Sequence, residues 1–423
     1  MFRKLGLLFT IPDLRKKTLV VLALLAVFRV ATAIPVPGVD PVRLKEFISG
    51  SQFFGLLNIF SGGVLSNLSI AMLGVSPYIT ASIIMQLFTM IIPRMKEMYQ
   101  EEGEAGRERF NQYARLLTVP LALAQGYALL TLLIRQQILP PLDLFGYASN
   151  LIIVTAGTIF LMWLGELITE RGIGNGVSLM ILAGIVASIP QSFQQEAFAF
   201  TPERLPSYIG FIAVALAVIV GVIIISEGER AIPVSYAKRI RGNRVFGGTS
   251  THLPLRVNQA GVIPIIFAVS IILFPGLVGS FLAGAGNMYL REAGEFLVRM
   301  FENQLLYGAV YFFMVFVFTY FYTAVTFDPD SLAENLQKQG GFILGIRPGR
   351  PTADYLARIL TRITLAGALF LGVIAILPLI VQSIFPISAF TIGGTALLIG
   401  VSVIIETMKQ IDAQLVMREY DKM

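Results

Sequence analysis

The chain has 423 residues, of which 55% are hydrophobic and 14% are charged, and its formal net charge is +6. A soluble protein of this length could not bury so much apolar surface, so the composition excludes a secreted disulfide scaffold, a coiled coil, a disordered acidic protein and a cytosolic nucleotide-binding enzyme. The sequence has no cysteine and one histidine, His252, which also excludes thiol chemistry and a Cys/His metal cluster.

Ten charge-poor apolar stretches follow one another along the chain, and a bilayer crossing takes about 20 such residues. They cover residues 18–34, 74–92, 116–134, 151–168, 177–189, 208–226, 257–281, 305–327, 363–384 and 390–405. The first also imitates a cleavable signal peptide, because Arg3 and Lys4 precede it and small residues end it. We interpret it as an uncleaved span, since Arg29 interrupts the signal pattern. The sequence therefore predicts one all-α polytopic membrane domain with ten transmembrane helices.

Basic residues are divided unequally between the two sides of these spans. An even number of spans puts both termini on one side, which carries 25 of the 32 Lys and Arg residues. The other side carries six, and Arg29 lies within the first span. Because loops rich in Lys and Arg stay in the cytoplasm, both termini are predicted to be cytoplasmic.

Two of the cytoplasmic connections, residues 227–256 and 328–362, are much longer than a turn between spans requires. Long loops of this kind often carry function, and both are rich in basic residues. Charge alone favours a solvated loop that follows the positive-inside rule. The alternative is a docking surface for a large cytoplasmic partner.

The predicted membrane interior has few ionisable groups. Glu166, Glu227 and Glu406 all lie at the cytoplasmic ends of their spans, and Arg29 is close enough to an end to extend its charge into water. No nucleophile–base pair lies where an intramembrane hydrolase would need one, so we expect no enzymatic activity, no metal and no cofactor. A secondary transporter of a small solute remains an alternative, with its site near the seventh span, which Pro264 and Pro275 interrupt.

The glycine-rich segment of residues 60–70 is too polar to cross a bilayer alone. Non-helical backbone at membrane depth has to be buried in protein or line an aqueous cavity, so this segment is either re-entrant or an external loop. Ten spans also divide into five and five. Two related halves with an odd number of spans insert in opposite orientations, which is the inverted-repeat architecture of many transport proteins.

Seven strings, spread in order over nearly the whole chain, resemble those of the SecY family, the central subunits of bacterial protein-conducting channels. The strings are NIFSGGVLSNLSIAMLG (58–74), PYITASIIMQL (77–87), EEGEAGR (101–107), FLMWLGELITERGIGNG (160–176), STHLPLRVNQAGVIPIIFA (250–268), GIRPG (345–349) and GGTALLI (393–399).

This resemblance implies a clamshell of two inverted five-helix halves, residues 1–190 and 191–423, around an hourglass pore in the bacterial cytoplasmic (inner) membrane. It implies a channel that passes unfolded secretory polypeptides and releases apolar segments sideways into lipid. The implied partners are the small membrane subunits SecE and SecG, the SecA motor ATPase, the ribosome with its RNA phosphates, signal peptides, nascent chains and membrane lipid.

The resemblance also assigns roles to individual residues. A pore ring of isoleucines is expected at Ile79, Ile83, Ile185, Ile266 and Ile399. A plug that caps the pore from outside is expected at Gly62, Gly63, Val64, Leu65, Ser66, Asn67, Leu68, Ser69 and Ile70. Gln86 and Asn258 are expected to be lateral-gate contacts between the second and seventh spans. Docking of the cytoplasmic partners is expected at Lys238, Arg239, Arg241, Arg244, Arg347 and Arg350.

Overall fold

The structure is a computed structural model that describes residues 11–36, 68–135, 138–198, 201–236, 239–241, 244–246, 250–282, 287–384 and 393–421. Thirteen α-helices occur in these ranges. They are α1 (Pro12–Ala33), α2 (Ser76–Ile91), α3 (Pro93–Gln100), α4 (Gly103–Arg135), α5 (Leu144–Arg171), α6 (Gly176–Phe198), α7 (Leu205–Glu227), α8 (Ile263–Leu282), α9 (Met288–Glu302), α10 (Gln304–Thr326), α11 (Pro329–Lys338), α12 (Arg350–Ile384) and α13 (Gly393–Asp421).

Each of the ten predicted spans coincides with one helix: α1, α2, α4, α5, α6, α7, α8, α10, α12 and α13. Among the described residues, five helices are by themselves long and apolar enough to cross a membrane, and α2 with α3 forms a sixth candidate, bent by 111°. Helices suit these apolar segments because they satisfy their own backbone hydrogen bonds in lipid. The chain is therefore an all-α polytopic membrane protein.

The two halves share one pattern of helix neighbours. In the first half α2 packs on α4, α4 on α5 and α5 on α6, while α1 packs on α5 and α6. In the second half α8 packs on α10, α10 on α12 and α12 on α13, while α7 packs on α12 and α13. Counted by span, the second set repeats the first, as expected for an inverted repeat.

The halves meet on two sides. On one side α8 packs against α2 and α4, and on the other α6 packs against α13. The predicted division after residue 190 falls inside α6, which continues through Pro190 to Phe198. A division between the halves therefore belongs in the connection that precedes α7, and the division itself remains a prediction.

The two long connections that are predicted to be cytoplasmic, residues 227–256 and 328–362, contain folded elements, which the sequence did not predict. The first contains β1 (Glu229–Tyr236), β2 (Arg239–Arg241), β3 (Arg244–Phe246) and β4 (Ser250–Arg256). The second contains α11, the strand β5 (Gly341–Ile343) and the first turns of α12. β1 pairs antiparallel with both β4 and β5, in the order β4–β1–β5, so the two connections share one sheet.

A small apolar core fixes this sheet to the adjoining helices. It contains Ile232 and Val234 of β1, Leu255 of β4, Ile343 of β5 and Leu356 of α12, all nearly inaccessible to solvent. A second strand pair, β2–β3, aligns Arg241 with Arg244. The sheet therefore belongs to a packed unit to which both long connections contribute.

Candidate functional site: a polar vestibule over an apolar floor

The five isoleucines of the predicted pore ring are all buried. Their side chains are between 0% and 8% exposed: Ile79 and Ile83 on α2, Ile185 on α6, Ile266 on α8 and Ile399 on α13. All five belong to one contiguous apolar cluster that draws side chains from both halves. This placement is compatible with a shared constriction, and their arrangement as a ring stays a prediction.

A cavity of about 960 Å³ opens beside this cluster. Its apolar lining includes Ile79, Ile263, Ile266 and Phe267. Its polar walls come from α2, α4, α5, the start of α6 and the residues between them: Ser82, Gln86, Glu104, Arg107, Glu108, Asn111, Arg115, Glu166, Thr169, Glu170, Asn175 and Ser178. These charged residues lie on the side of the spans that the positive-inside rule predicts to be cytoplasmic. We refer to this cavity as the vestibule.

An ion pair fixes the wall of the vestibule. Arg115 Nε on α4 donates to Glu166 Oε1 on α5 at 2.7 Å, and the Tyr78 hydroxyl on α2 donates to the same oxygen at 3.5 Å. Glu166 is 21% exposed and Arg115 45%, so the pair is only partly shielded from water. Three helices are thereby joined at one carboxylate. The sequence placed Glu166 at a span end but gave no signal for its two partners.

The corner between α5 and α6 is unusually tight. The Gly176 amide donates to the Thr169 hydroxyl at 2.8 Å, and Asn175 Oδ1 accepts from the Ser178 amide at 3.1 Å at the start of α6. A Cβ on Gly176 would overlap the Gly165 carbonyl, so only glycine fits here. This corner brings Glu166 and Asn175 to the same cavity wall.

Only the end of the predicted plug lies within the described residues. Leu68 and Ser69 are fully buried, whereas Gly62, Gly63, Val64, Leu65, Ser66 and Asn67 lie outside the described residues. The Val36 amide donates to the Leu68 carbonyl at 2.8 Å, and the Ile70 amide donates to the Ile34 carbonyl at 2.9 Å. This segment is therefore fastened to the chain that leaves α1. The plug role remains a prediction.

Leu68 has a positive φ of 37°, a rare conformation for a residue with a side chain. The next turns carry residues 68–75 directly into α2, along the side of α5. There Gly157 of α5 lies against the Ile70 carbonyl, which a Cβ at position 157 would overlap. The close approach of α5 to this segment therefore depends on glycine.

Because residues 68–70 are the described end of the predicted plug, Gly157→Ala is expected to weaken closure of the predicted pore. An overpacked site costs about 1–3 kcal/mol, and here the cost falls on the packing of residues 68–75 against α5. We expect the ion leak of reconstituted vesicles to rise by about an order of magnitude. Gly221→Ala is the matched control. A Cβ at position 221 would lie 3.3 Å from the edge of the Phe370 ring, which is a side chain that can shift. Equal ion leak in the Gly157→Ala and Gly221→Ala variants would contradict the assignment of residues 68–70 to the plug.

The predicted gate residues lie on adjoining elements but are not hydrogen-bonded to each other. Gln86 lines the vestibule from α2, and its buried Oε1 has no partner within the described part of the chain. Asn258 Nδ2 donates to the Gly261 carbonyl at 3.1 Å, and its Oδ1 is likewise without a partner there. Asn258 lines a different cavity, of about 220 Å³.

The seventh helix begins later than the hydropathy pattern predicts. The predicted span starts at residue 257, whereas α8 starts at Ile263. Gly261 has a φ of 62°, which interrupts a right-handed helix, so Asn258 lies in a turn before the helix. The predicted contact between the second and seventh spans is nevertheless present, because α2 packs against α8.

Arg347 lies at the tip of a tight turn between β5 and α12. The Ile346 amide donates to the Ile343 carbonyl at 3.0 Å, and the Thr352 hydroxyl donates to the Arg347 carbonyl at 2.8 Å. The side chains of Arg347 and Arg350 are exposed. Arg239, Arg241 and Arg244 lie on β2 and β3, whereas Lys238 lies outside the described residues.

The chain is similar to known proteins over nearly its whole length. The SecY family model matches residues 69–408. Protein translocase subunit SecY of Streptomyces galbus is 44% identical over 98% of this chain and 97% of its own length. The corresponding subunit of Mycobacterium bovis is 43% identical over 97% of this chain and 96% of its own length.

Solved structures show the same fold at low sequence identity. A protein-conducting channel superposes with a TM-score of 0.65 at 19% identity, covering 95% of this chain and 93% of that one. Sec61 in the canine ribosome–channel complex from the endoplasmic reticulum superposes with a TM-score of 0.58 at 18% identity, covering 95% and 93%. From the family match and the full-length relatives, the chain belongs to the SecY family.

Proposed function

We propose that the vestibule and the isoleucine cluster form the path of an unfolded polypeptide through a protein-conducting channel. As a SecY family member, the chain is a multi-pass membrane subunit of a protein translocase. The observation that carries the proposed path is a cavity of about 960 Å³ that is lined both by charged residues and by the buried Ile79 and Ile266.

The chemistry of the two parts suits this path. Polar and charged walls keep an entering polypeptide hydrated. An apolar constriction resists water and ions because a narrow apolar passage dewets. Isoleucine side chains can nevertheless move apart around a passing chain without losing a hydrogen bond. We propose Ile79, Ile83, Ile185, Ile266 and Ile399 as this seal, and the segment ending at Ile70 as the plug outside it.

We propose that apolar segments leave sideways between α2 and α8. About 20 apolar residues at about −0.3 to −0.6 kcal/mol each favour lipid by roughly 6–12 kcal/mol, whereas each Lys, Arg or Asp costs about 2.5–3.5 kcal/mol. A gate that exposes the passing chain to lipid therefore sorts it by composition. Gln86 and Asn258, whose amide oxygens lack partners within the described residues, are proposed to change partners when the gate opens.

The orientation and the docking site are proposed together. The excess of Lys and Arg supports a cytoplasmic location for the termini and the β4–β1–β5 sheet. Arg347 and Arg350 are then exposed to cytoplasmic partners, such as a motor ATPase of the SecA type or the phosphates of ribosomal RNA. The structural neighbour Sec61 occurs in a ribosome–channel complex, which supports the ribosome as a partner of this fold. Small subunits like SecE and SecG are proposed to complete the complex.

The alternative, secondary transport of a small solute, requires a compact polar site at mid-bilayer near the seventh span. Where the cavity meets α8, its lining residues Ile263, Ile266 and Phe267 are instead all apolar. Family membership and this apolar lining both favour the protein-conducting channel.

Reconstitution tests the proposed function. Vesicles that contain the chain, a SecE-like subunit, a SecA-type motor and ATP should import a signal-bearing precursor and protect it from added protease. Vesicles without the chain, and a precursor without its signal, are the controls. Failure to protect the precursor in complete vesicles would overturn the proposal.

A further inference from the structure

The helix α9 is not accounted for by the channel path. The sequence assigned its residues to an external loop, yet 15 residues, Met288–Glu302, form a helix between α8 and α10. Asn287 Oδ1 accepts from the Tyr289 amide at 3.0 Å and so caps the start of α9. A single residue, Asn303, separates α9 from α10. Its position is therefore tied to the outer end of two membrane helices.

The residues of α9 divide into three faces. Tyr289, Ala293 and Phe296 share one face at helical spacing and are all exposed, with Tyr289 at 81% and Phe296 at 69%. The second face turns towards the protein, because α9 packs against α8 and Gly294 is buried. The third face carries charge and is described next.

On the charged face of α9 the basic and acidic side chains pair with each other. Arg291 Nε donates to Glu295 Oε1 at 2.9 Å, and Arg299 Nη2 lies 3.5 Å from Glu295 Oε2. Glu292 is exposed beside them. A row of alternating charges at i, i+4 spacing is typical of a helix face in water. It offers little net charge for recognising a charged partner.

An exposed apolar face between a protein-facing and a water-facing one matches the boundary of a bilayer. Amphipathic helices lie there with their apolar face among the outer parts of the acyl chains, and tyrosine is enriched at that depth. α9 packs against α8, and only Asn303 separates it from α10, so α9 lies at the end of the membrane domain where α10 begins.

We propose that α9 is an interfacial anchor that seats Tyr289, Ala293 and Phe296 in the outer leaflet. Because α9 packs on α8, it fastens the external end of one helix of the proposed gate to lipid. The ligand is the bilayer itself, at the junction of headgroups and acyl chains. This inference rests on the membrane orientation proposed above, which the experiment tests separately.

The natural absence of cysteine makes the test direct. Tyr289→Cys and Phe296→Cys probe the apolar face, and Glu292→Cys is the matched control on the charged face of the same helix. Each full-length variant is spin-labelled and reconstituted into vesicles of phosphatidylcholine and phosphatidylglycerol. Collision of the label with oxygen, which concentrates in lipid, is compared with collision with a nickel chelate, which stays in water. In intact cells, Glu292→Cys is also treated with a membrane-impermeant maleimide.

Labels at positions 289 and 296 should favour oxygen, and the label at position 292 should favour the nickel chelate. Labels at 289 and 296 that collide freely with the chelate would overturn the anchor. Labels there that are shielded from both reagents would also overturn it and indicate a protein neighbour. Reaction of Glu292→Cys with maleimide in intact cells supports the proposed membrane orientation. Reaction only in broken cells contradicts that orientation, but it does not change what the collision measurements say about the depth of α9 in the bilayer.

Discussion

Ile399→Asn should raise the ion conductance of the resting channel and let it accept precursors with weakened signals. Ile399 is 0% exposed within the apolar cluster that spans both halves. An amide without a partner there costs about 1–3 kcal/mol, which falls on the closed state because water reaches the residue when the channel opens. A change of 1.4 kcal/mol shifts an equilibrium tenfold, so we expect about a 10- to 100-fold higher leak in planar bilayers.

Ile404→Asn is the control for this experiment. Ile404 lies five residues further along α13 and is 46% exposed, so it faces away from the apolar cluster. Its substitution should leave conductance and signal stringency unchanged. A leak of the same size in both variants would show that any polar residue on α13 disturbs the channel. An unchanged leak in Ile399→Asn with normal folding would remove Ile399 from the proposed seal.

Arg347→Glu should abolish most motor-driven translocation without raising the leak. The turn that carries Arg347 is held by backbone and Thr352 hydrogen bonds, so the charge is presented at a fixed place. Charge reversal at a contact to phosphate or carboxylate removes an attraction and adds a repulsion, which we expect to cost at least about tenfold in partner affinity. Binding of ribosomes and of the motor, measured over a range of salt concentrations, checks this.

Arg358→Glu is the matched control for docking. Arg358 is exposed on α12 and belongs to the same long connection, residues 328–362, but it lies away from the turn. Its reversal should reduce binding little. Equal loss in both variants would indicate that only the total charge of the surface matters. An increased ion leak in Arg347→Glu would contradict the separation of docking from sealing.

Hydropathy located the membrane helices well because lipid imposes one requirement on all of them. A segment without charges that must satisfy its own backbone forms a helix, and all ten predicted spans coincide with helices. The boundaries were less accurate where local geometry decides. The turn at Gly261 delays α8 to Ile263, and α12 begins at Arg350 although its first turns are polar.

The folded unit that contains the β4–β1–β5 sheet could not be predicted from local patterns. β5 has only three residues and pairs with β1 about a hundred residues earlier, as in Val234 with Ile343. Such pairing depends on tertiary packing and leaves no local pattern. In addition, a stretch rich in basic residues is typical of a solvated loop, so it gives no indication of a strand. The helix α9 was missed for a related reason, since it mixes charges with apolar residues and so falls below any hydropathy threshold for a span.

For the site, the sequence identified residue types, and the fold determined which of them meet. The resemblance placed five isoleucines that are indeed all buried. It also gave Gln86 and Asn258 as gate contacts; these two residues line separate cavities, and their gate role stays a prediction. The Arg115–Glu166–Tyr78 contact joins residues up to 88 positions apart, and no short motif reveals it.

The strands of the β4–β1–β5 sheet are joined through the chain to most helices of the second half. Only Gly228 separates β1 from α7, the chain after β4 leads into α8, and the Val257 amide donates to the Gly228 carbonyl at 2.8 Å. β5 lies between α11, which follows α10, and α12. Within the described residues, no helix of the first half is joined to a strand of this sheet through its chain. A partner bound to this sheet would therefore contact a unit that the chain joins to α7, α8, α10 and α12 and not to α2.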